Sequence, residues 1–114
     1  MPVTTFVAPI LPGKTEVWKQ AAQEMTGSRK SEHEESRRRM GVTREIASLQ
    51  STPQGDCVVV CLEADDPDAI IARILASDVP YDRWFAETVL KGVHGIGGPE
   101  GPPPPNQVFV DWEA

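Results

Sequence analysis

The chain has 114 residues, 39% of them hydrophobic and 25% charged, with a net charge of −6, the size and balance of one folded domain and not of a disordered segment. The acidic balance excludes a general binder of nucleic-acid phosphates, which needs a surplus of Lys and Arg. The one basic cluster, Arg37, Arg38, Arg39 and Arg44, adjoins Glu32, Glu34 and Glu35 and reads as ion pairs at helical spacing.

In chain order, Val3 to Ile10 is a β-branched and aromatic run closed by the turn Leu11-Pro12-Gly13, and it predicts a first strand. Thr15 stands as an N-cap for a helix from Glu16 to Met25, which Gly27-Ser28 ends or kinks before a second stretch from Arg29 to Met40 with Gly41 as C-cap. Val42 to Ser51 predicts a second strand, joined by the turn residues Ser51 to Asp56 to a buried third strand, Asp56 to Ala64. These two pair antiparallel. Cys57 and Cys61 lie four apart on that strand, about 13 Å at ~3.3 Å per residue, so they are free thiols with a packing role.

Asp66 caps and Pro67 opens a second helix through Ile70, Ile71, Ile74 and Leu75. Asp78-Val79-Pro80 restarts it as a third helix through Trp84, Phe85, Val89 and Leu90, with Gly92 and Gly95 at its end. Residues 95–105 form a Gly- and Pro-rich connection, stiff at Pro102 to Pro105, to a last strand from Gln107 to Glu113. No run approaches the ~20 apolar residues that span a bilayer, and the N-terminus has no secretory pattern, so a cytoplasmic protein is expected.

The order β-α-β-β-α-β with a split second helix predicts an α+β, ferredoxin-like fold over residues 1–114. Its four-stranded antiparallel sheet has helices on one side. The predicted third strand is apolar on both faces, Val58, Val60 and Leu62 against Cys57, Val59 and Cys61; the last sets Val108, Val110 and Trp112 against Phe109 and Asp111. One face is left to be covered by a second copy, which makes the expected assembly a homodimer.

The first helix carries an apolar stripe that turns polar halfway. Trp18, Ala21, Ala22 and Met25 are followed, within roughly 60° of Trp18 at ~100° per residue, by Arg29, Glu32, His33 and Ser36. Either this half is solvated or it lines a pocket. His33 is the candidate acid/base, with Glu32 or Glu34 beside it, and Arg29 or Arg37 is the candidate anchor for a carboxylate or enolate. Trp84 and Phe85 are candidate pocket walls, His94 either a helix cap or a ligand contact, and Asp82 with Arg83 a surface ion pair. Trp18 and Trp112 suit a core or a dimer contact. The run Gly95 to Gly98 follows a helix and lacks a Lys-Ser/Thr ending, which argues against a phosphate loop.

Leu11-Pro12-Gly13-Lys14, the run from Ser36 to Glu45, Leu62-Glu63-Ala64-Asp65-Asp66-Pro67 and Phe109-Val110-Asp111-Trp112 resemble a group of short actinobacterial-type proteins of unassigned function. That group lies within the dimeric α/β barrel superfamily. The superfamily holds small monooxygenases, heme-degrading proteins, muconolactone isomerases and polyketide cyclases. The resemblance implies a pocket between helices and sheet, lined by the first helix, and a small cyclic or aromatic ligand handled without a cofactor. Joined to the residue reading above, it puts His33, Arg29 and Glu32 in catalytic roles and Ser36, Arg37, Trp84, Phe85 and His94 around the substrate. A non-catalytic binding protein and a heme protein with a histidine axial ligand stay open beside it. Nothing in the residues has the spacing of a zinc, calcium, flavin or nicotinamide site.

Overall fold

The Val, Thr and Phe side chains of β1 (Val3–Pro9) alternate between exposed and buried, the period of a strand with one face on a core. β2 (Val42–Thr52) and β3 (Gly55–Ala64) form a hairpin, and β1 pairs with the far side of β3, giving an antiparallel sheet in the order β1-β3-β2. The computed structural model describes residues 1–98 and 101–114; Pro99 and Glu100, part of the expected Gly/Pro connection, lie outside the described residues. The register puts Thr4, Leu62 and Glu45 in one inward row, followed by Phe6, Val60 and Ala47 and then Ala8, Val58 and Leu49.

The predicted four-stranded ferredoxin-like sheet is not formed: among the described residues the sheet has three strands, and the segment from Gln107 to Glu113 pairs with none of them. Asn106 alone reaches the free edge of β1, its N–H and its side-chain amide donating to the carbonyl and hydroxyl of Thr5. Beyond that contact, among the described residues, no further backbone hydrogen bond joins this segment to β1. Phe109, Val110 and Trp112 are left at 90%, 84% and 79% exposure.

The first helix is two helices, α1 (Thr15–Thr26) and α2 (Lys30–Arg39). Gly27 makes the break possible, because a Cβ there would sit 2.8 Å from the Gln23 carbonyl oxygen, and the N–H groups of Gly27 and Arg29 both turn back to the carbonyl of Glu24. Thr15 does not cap; its hydroxyl donates to Asp56 Oδ2 at 2.6 Å, tying α1 to the start of β3. Gly41 closes α2 as expected, with φ +77° and its N–H on the Arg38 carbonyl.

Beyond the sheet, Pro67–Ala69 is a 3₁₀ turn without a side-chain cap from Asp66, leading into α3 (Ile70–Ala76). α4 (Pro80–Phe85) opens on proline and widens into a π-helical turn, Ala86–Lys91. Trp18, Ile70, Ile74, Phe85, Val89 and Leu90 pack on the inward rows of the sheet to form the core. Among the described residues no helix is long and apolar enough to cross a membrane. The outward rows carry Val3, Val7 and Ile46, each more than a third exposed, with the half-buried Val59 and the free thiols Cys57 and Cys61 between them.

Candidate functional site

Between the helical layer and the inward rows of the sheet lies a cavity of about 400 Å³, within the range of small-molecule sites. Trp18, Phe6, Val58, Ile74, Phe85 and Leu90 make most of it apolar. Most of its wall is buried; the exposed lining residues are Thr26, Ile46 and Ala47, which puts the mouth between the end of α1 and the edge strand β2.

One end is polar. His33, from α2, stands between two partners, with Nδ1 2.6 Å from the Tyr81 hydroxyl and Nε2 2.7 Å from Glu45 Oε1. Arg37, one turn further along α2, donates Nε–H to both oxygens of Glu45 at 3.1 and 3.2 Å. Burial works to raise the Glu45 carboxyl, but the hydrogen bond from His33 and the charge of Arg37 outweigh it and hold the group down at about 2. An ionised carboxylate only accepts, so Nε2 of His33 carries its hydrogen, and in the neutral ring Nδ1 accepts from Tyr81. Burial pushes the Tyr81 phenol up, keeping it protonated as that donor. The result is a Tyr81–His33–Glu45 chain in which His33, Glu45 and Arg37 line the cavity and Tyr81 stands behind them.

Arg37 has 6% of its side chain exposed, and its guanidinium carbon lies 4.5 Å from the centre of the Phe85 ring. Nη1 donates to Ser36, whereas Nη2 is buried and has no hydrogen-bond partner among the described residues. Such an orphaned donor is costly unless something else satisfies it.

Glu45 reaches the wall through a β-bulge. Leu49, Ala47 and Glu45 alternate inward from the hairpin, yet Val42 also packs against the core, three residues from Glu45 and not two or four. The register shift between Val42 and Arg44 absorbs the odd residue, Thr43, whose hydroxyl donates to Glu63 Oε1 at 2.8 Å.

The expected site residues divide. His33, Arg37, Phe85 and His94 line the cavity. Ser36 turns away from it, donating to Asp82 Oδ1 at 2.5 Å. Asp82 is no surface partner of Arg83: it is fully buried and also bonded to Ser77 and Arg39, while Arg83 pairs with Glu87. Arg29 lies 4.3 Å over the Trp84 ring and bonds to Glu24, Glu32 is half exposed, and none of Ser36, Arg29, Glu32 and Trp84 lines the cavity. For Arg29, Glu32 and Ser36 the break at Gly27 is the reason, since a helical phase counted from Trp18 does not carry across it. Glu45 and Tyr81 are the functional candidates that the sequence reading missed. Tyr81 precedes Phe85 by four residues and so shares its helix face, a signal that was present; Glu45 is hidden by the bulge.

His94 lines the cavity at its other end. Its Nδ1 is 2.9 Å from the Pro9 carbonyl, to which it donates, and burial lowers its basicity against that bond. Pro9 and the row of Glu45 and Thr4 are five residues apart along β1, about 16 Å, so the two histidines face one chamber and do not converge. An axial heme ligand needs a ring nitrogen with a free lone pair. His33 has none to offer in this arrangement; His94 keeps Nε2. Among the described residues no group of three His, Cys, Asp or Glu side chains is placed to hold a metal ion. Comparison of the chain with protein-family models, with curated proteins and with solved structures finds no match.

Proposed function

We propose that this chain is a small-molecule-binding protein that takes a cyclic or aromatic ligand into the chamber between helices and sheet, and that it shifts a proton on that ligand without a cofactor, as an isomerase or cyclase does. The observation that carries the reading is the combination of one largely apolar chamber with a single polar end, where His33, Glu45 and Arg37 meet. The ligand's proton would be taken up at Nδ1 of His33 once the Tyr81 hydroxyl turns from it, and returned to the ligand from there, while Nε2–H stays on Glu45. Monooxygenase chemistry has no comparable support in the geometry.

Exchange of the α-hydrogens of 2-tetralone in heavy water, followed by proton NMR, tests the catalytic part. The expected result is exchange at least tenfold above buffer that His33→Gln abolishes; binding of the ketone without faster exchange leaves a binding protein only. A heme protein is the second reading, favoured by the orientation of His94, whose Nδ1–H is held by a backbone carbonyl as in many ligating histidines. A Soret shift on adding hemin that His94→Ala removes would support it, and no shift retires it.

The same proposal includes a homodimer through the outward face of the sheet, supported by the exposure of Val3, Val7 and Ile46 there. Sedimentation at micromolar concentration is expected to show a dimer that Val7→Glu dissociates. A monomeric parent protein would overturn this part and leave the chamber untouched.

A further inference from the structure

Two charges meet at the polar end of the chamber, and they cancel. Arg37 is held against Glu45 through Nε, so a ligand arriving there meets a neutral pair and not a free cation. A carboxylate or phosphate entering would gain Arg37 but be repelled by Glu45 at the same distance, and would leave water for an apolar wall. That rules against the anion anchor that Arg37 alone would suggest.

What the pair lacks is specific. Glu45 Oε2 accepts one bond among the described residues, from Arg37 Nε at 3.2 Å, and keeps acceptor capacity. Arg37 Nη2 has no partner either, but it is buried out of reach of a water-sized group and offers a ligand nothing. A carboxylate on the chamber wall with capacity to spare is satisfied by a donor that brings no charge of its own, which a hydroxyl supplies. An ether or ketone oxygen cannot donate to it, and a carboxylate brings a second negative charge. Phe85, under the guanidinium and in the chamber wall, supplies a face for the ring that bears the hydroxyl.

We propose that the ligand is an uncharged, mostly apolar ring system bearing a phenolic or enolic hydroxyl, which donates to Glu45 Oε2. This rests on the reading of the chamber as a small-molecule site and specifies which molecules enter it.

The test compares three probes of one ring size, 1-naphthol, 1-naphthoate and naphthalene, titrated into the full chain at pH 7 with Kd read from amide chemical-shift changes. The expected order is naphthol at least tenfold tighter than naphthalene, with naphthoate the weakest. In Glu45→Gln the order of the two oxygenated probes reverses, because the loss of the carboxylate leaves Arg37 uncompensated. Should that variant fail to fold, the parent protein's ranking decides alone. Naphthoate binding as tightly as naphthol, or naphthol no tighter than naphthalene, overturns the proposal while the chamber stands as a ligand site. Absence of binding by all three overturns the chamber reading as well.

Discussion

Two polar clusters grow from the same two pieces of chain, and they end in opposite states. Ser36 and Arg37 are neighbours on α2, Tyr81 and Asp82 neighbours on α4. Ser36 and Asp82 turn into the protein, where Asp82 collects Ser36, Ser77 and Arg39 and is fully buried. Arg37 and Tyr81 turn toward Glu45 and His33, where the wall of a chamber remains and one guanidinium nitrogen is left over. The first cluster is closed: burial would raise the Asp82 carboxyl, but its bonds from Arg39, Ser36 and Ser77 keep it below the usual range. The second is open on one side. Satisfied polar groups hold elements together, and unsatisfied ones beside a cavity are where a ligand can add something.

The contrast breaks most visibly at Asp82. Asp82→Ala leaves three donors unpaired and is expected to cost about 4 kcal/mol in urea denaturation, with the naphthol-over-naphthalene preference retained in whatever fraction stays folded. A loss of that preference would merge the two clusters into one.

Acid titration separates them next. The Glu45 carboxyl is depressed to about 2 from an ordinary value near 4.5, so its stabilisation is complete above pH ~4.5 and is lost as pH falls toward 2. At ~1.4 kcal/mol per pH unit the stability gap between the parent and Glu45→Gln is expected to close by about 3 kcal/mol over that range. The check is the urea midpoint at a series of pH values, and a gap independent of pH contradicts the ionised Glu45 on which the recognition of a hydroxyl depends.

Tyr81→Phe removes one neutral hydrogen bond and is expected to cost about 1 kcal/mol. Its sharper readout is the ring ¹⁵N spectrum of His33, in which Nδ1 moves and Nε2 stays. Arg29→Ala, which ends the stacking on Trp84, is expected to cost about 0.5–1 kcal/mol and to leave all three probe affinities unchanged, since neither side chain lines the chamber.

The helix and strand order of the first ninety residues was legible, because hydrophobic period, turn residues and Gly41 all agree there. The last strand was misread because alternation shows only that a segment suits a strand, whereas pairing needs an edge to be met along several residues, and among the described residues only Asn106 meets β1. In the site, His33 was legible as part of the polar continuation of the stripe from Trp18 to Met25, and Arg37 as its neighbour one turn on. Arg29, Glu32 and Ser36 were assigned to the same face by a count carried on through Gly27, where the helix stops. Glu45 was unreadable because β2 contains two alternations out of phase, Val42-Arg44-Ile46 and Glu45-Ala47-Leu49, and only pairing with β3 shows which one prevails.

The bulge at Thr43 also means that this strand holds a second chamber in reserve. Loss of one codon between Glu45 and the hairpin would let Val42 keep its place opposite Ala64 and the turn keep Thr52 opposite Gly55, with the irregular residue absorbed into an even ladder. Arg44 would then stand opposite Leu62 and Ile46 would swing inward behind it. A lineage could thus exchange an acidic lining for a basic one, and uncharged guests for anionic ones, by a single deletion with no amino-acid replacement at the wall itself.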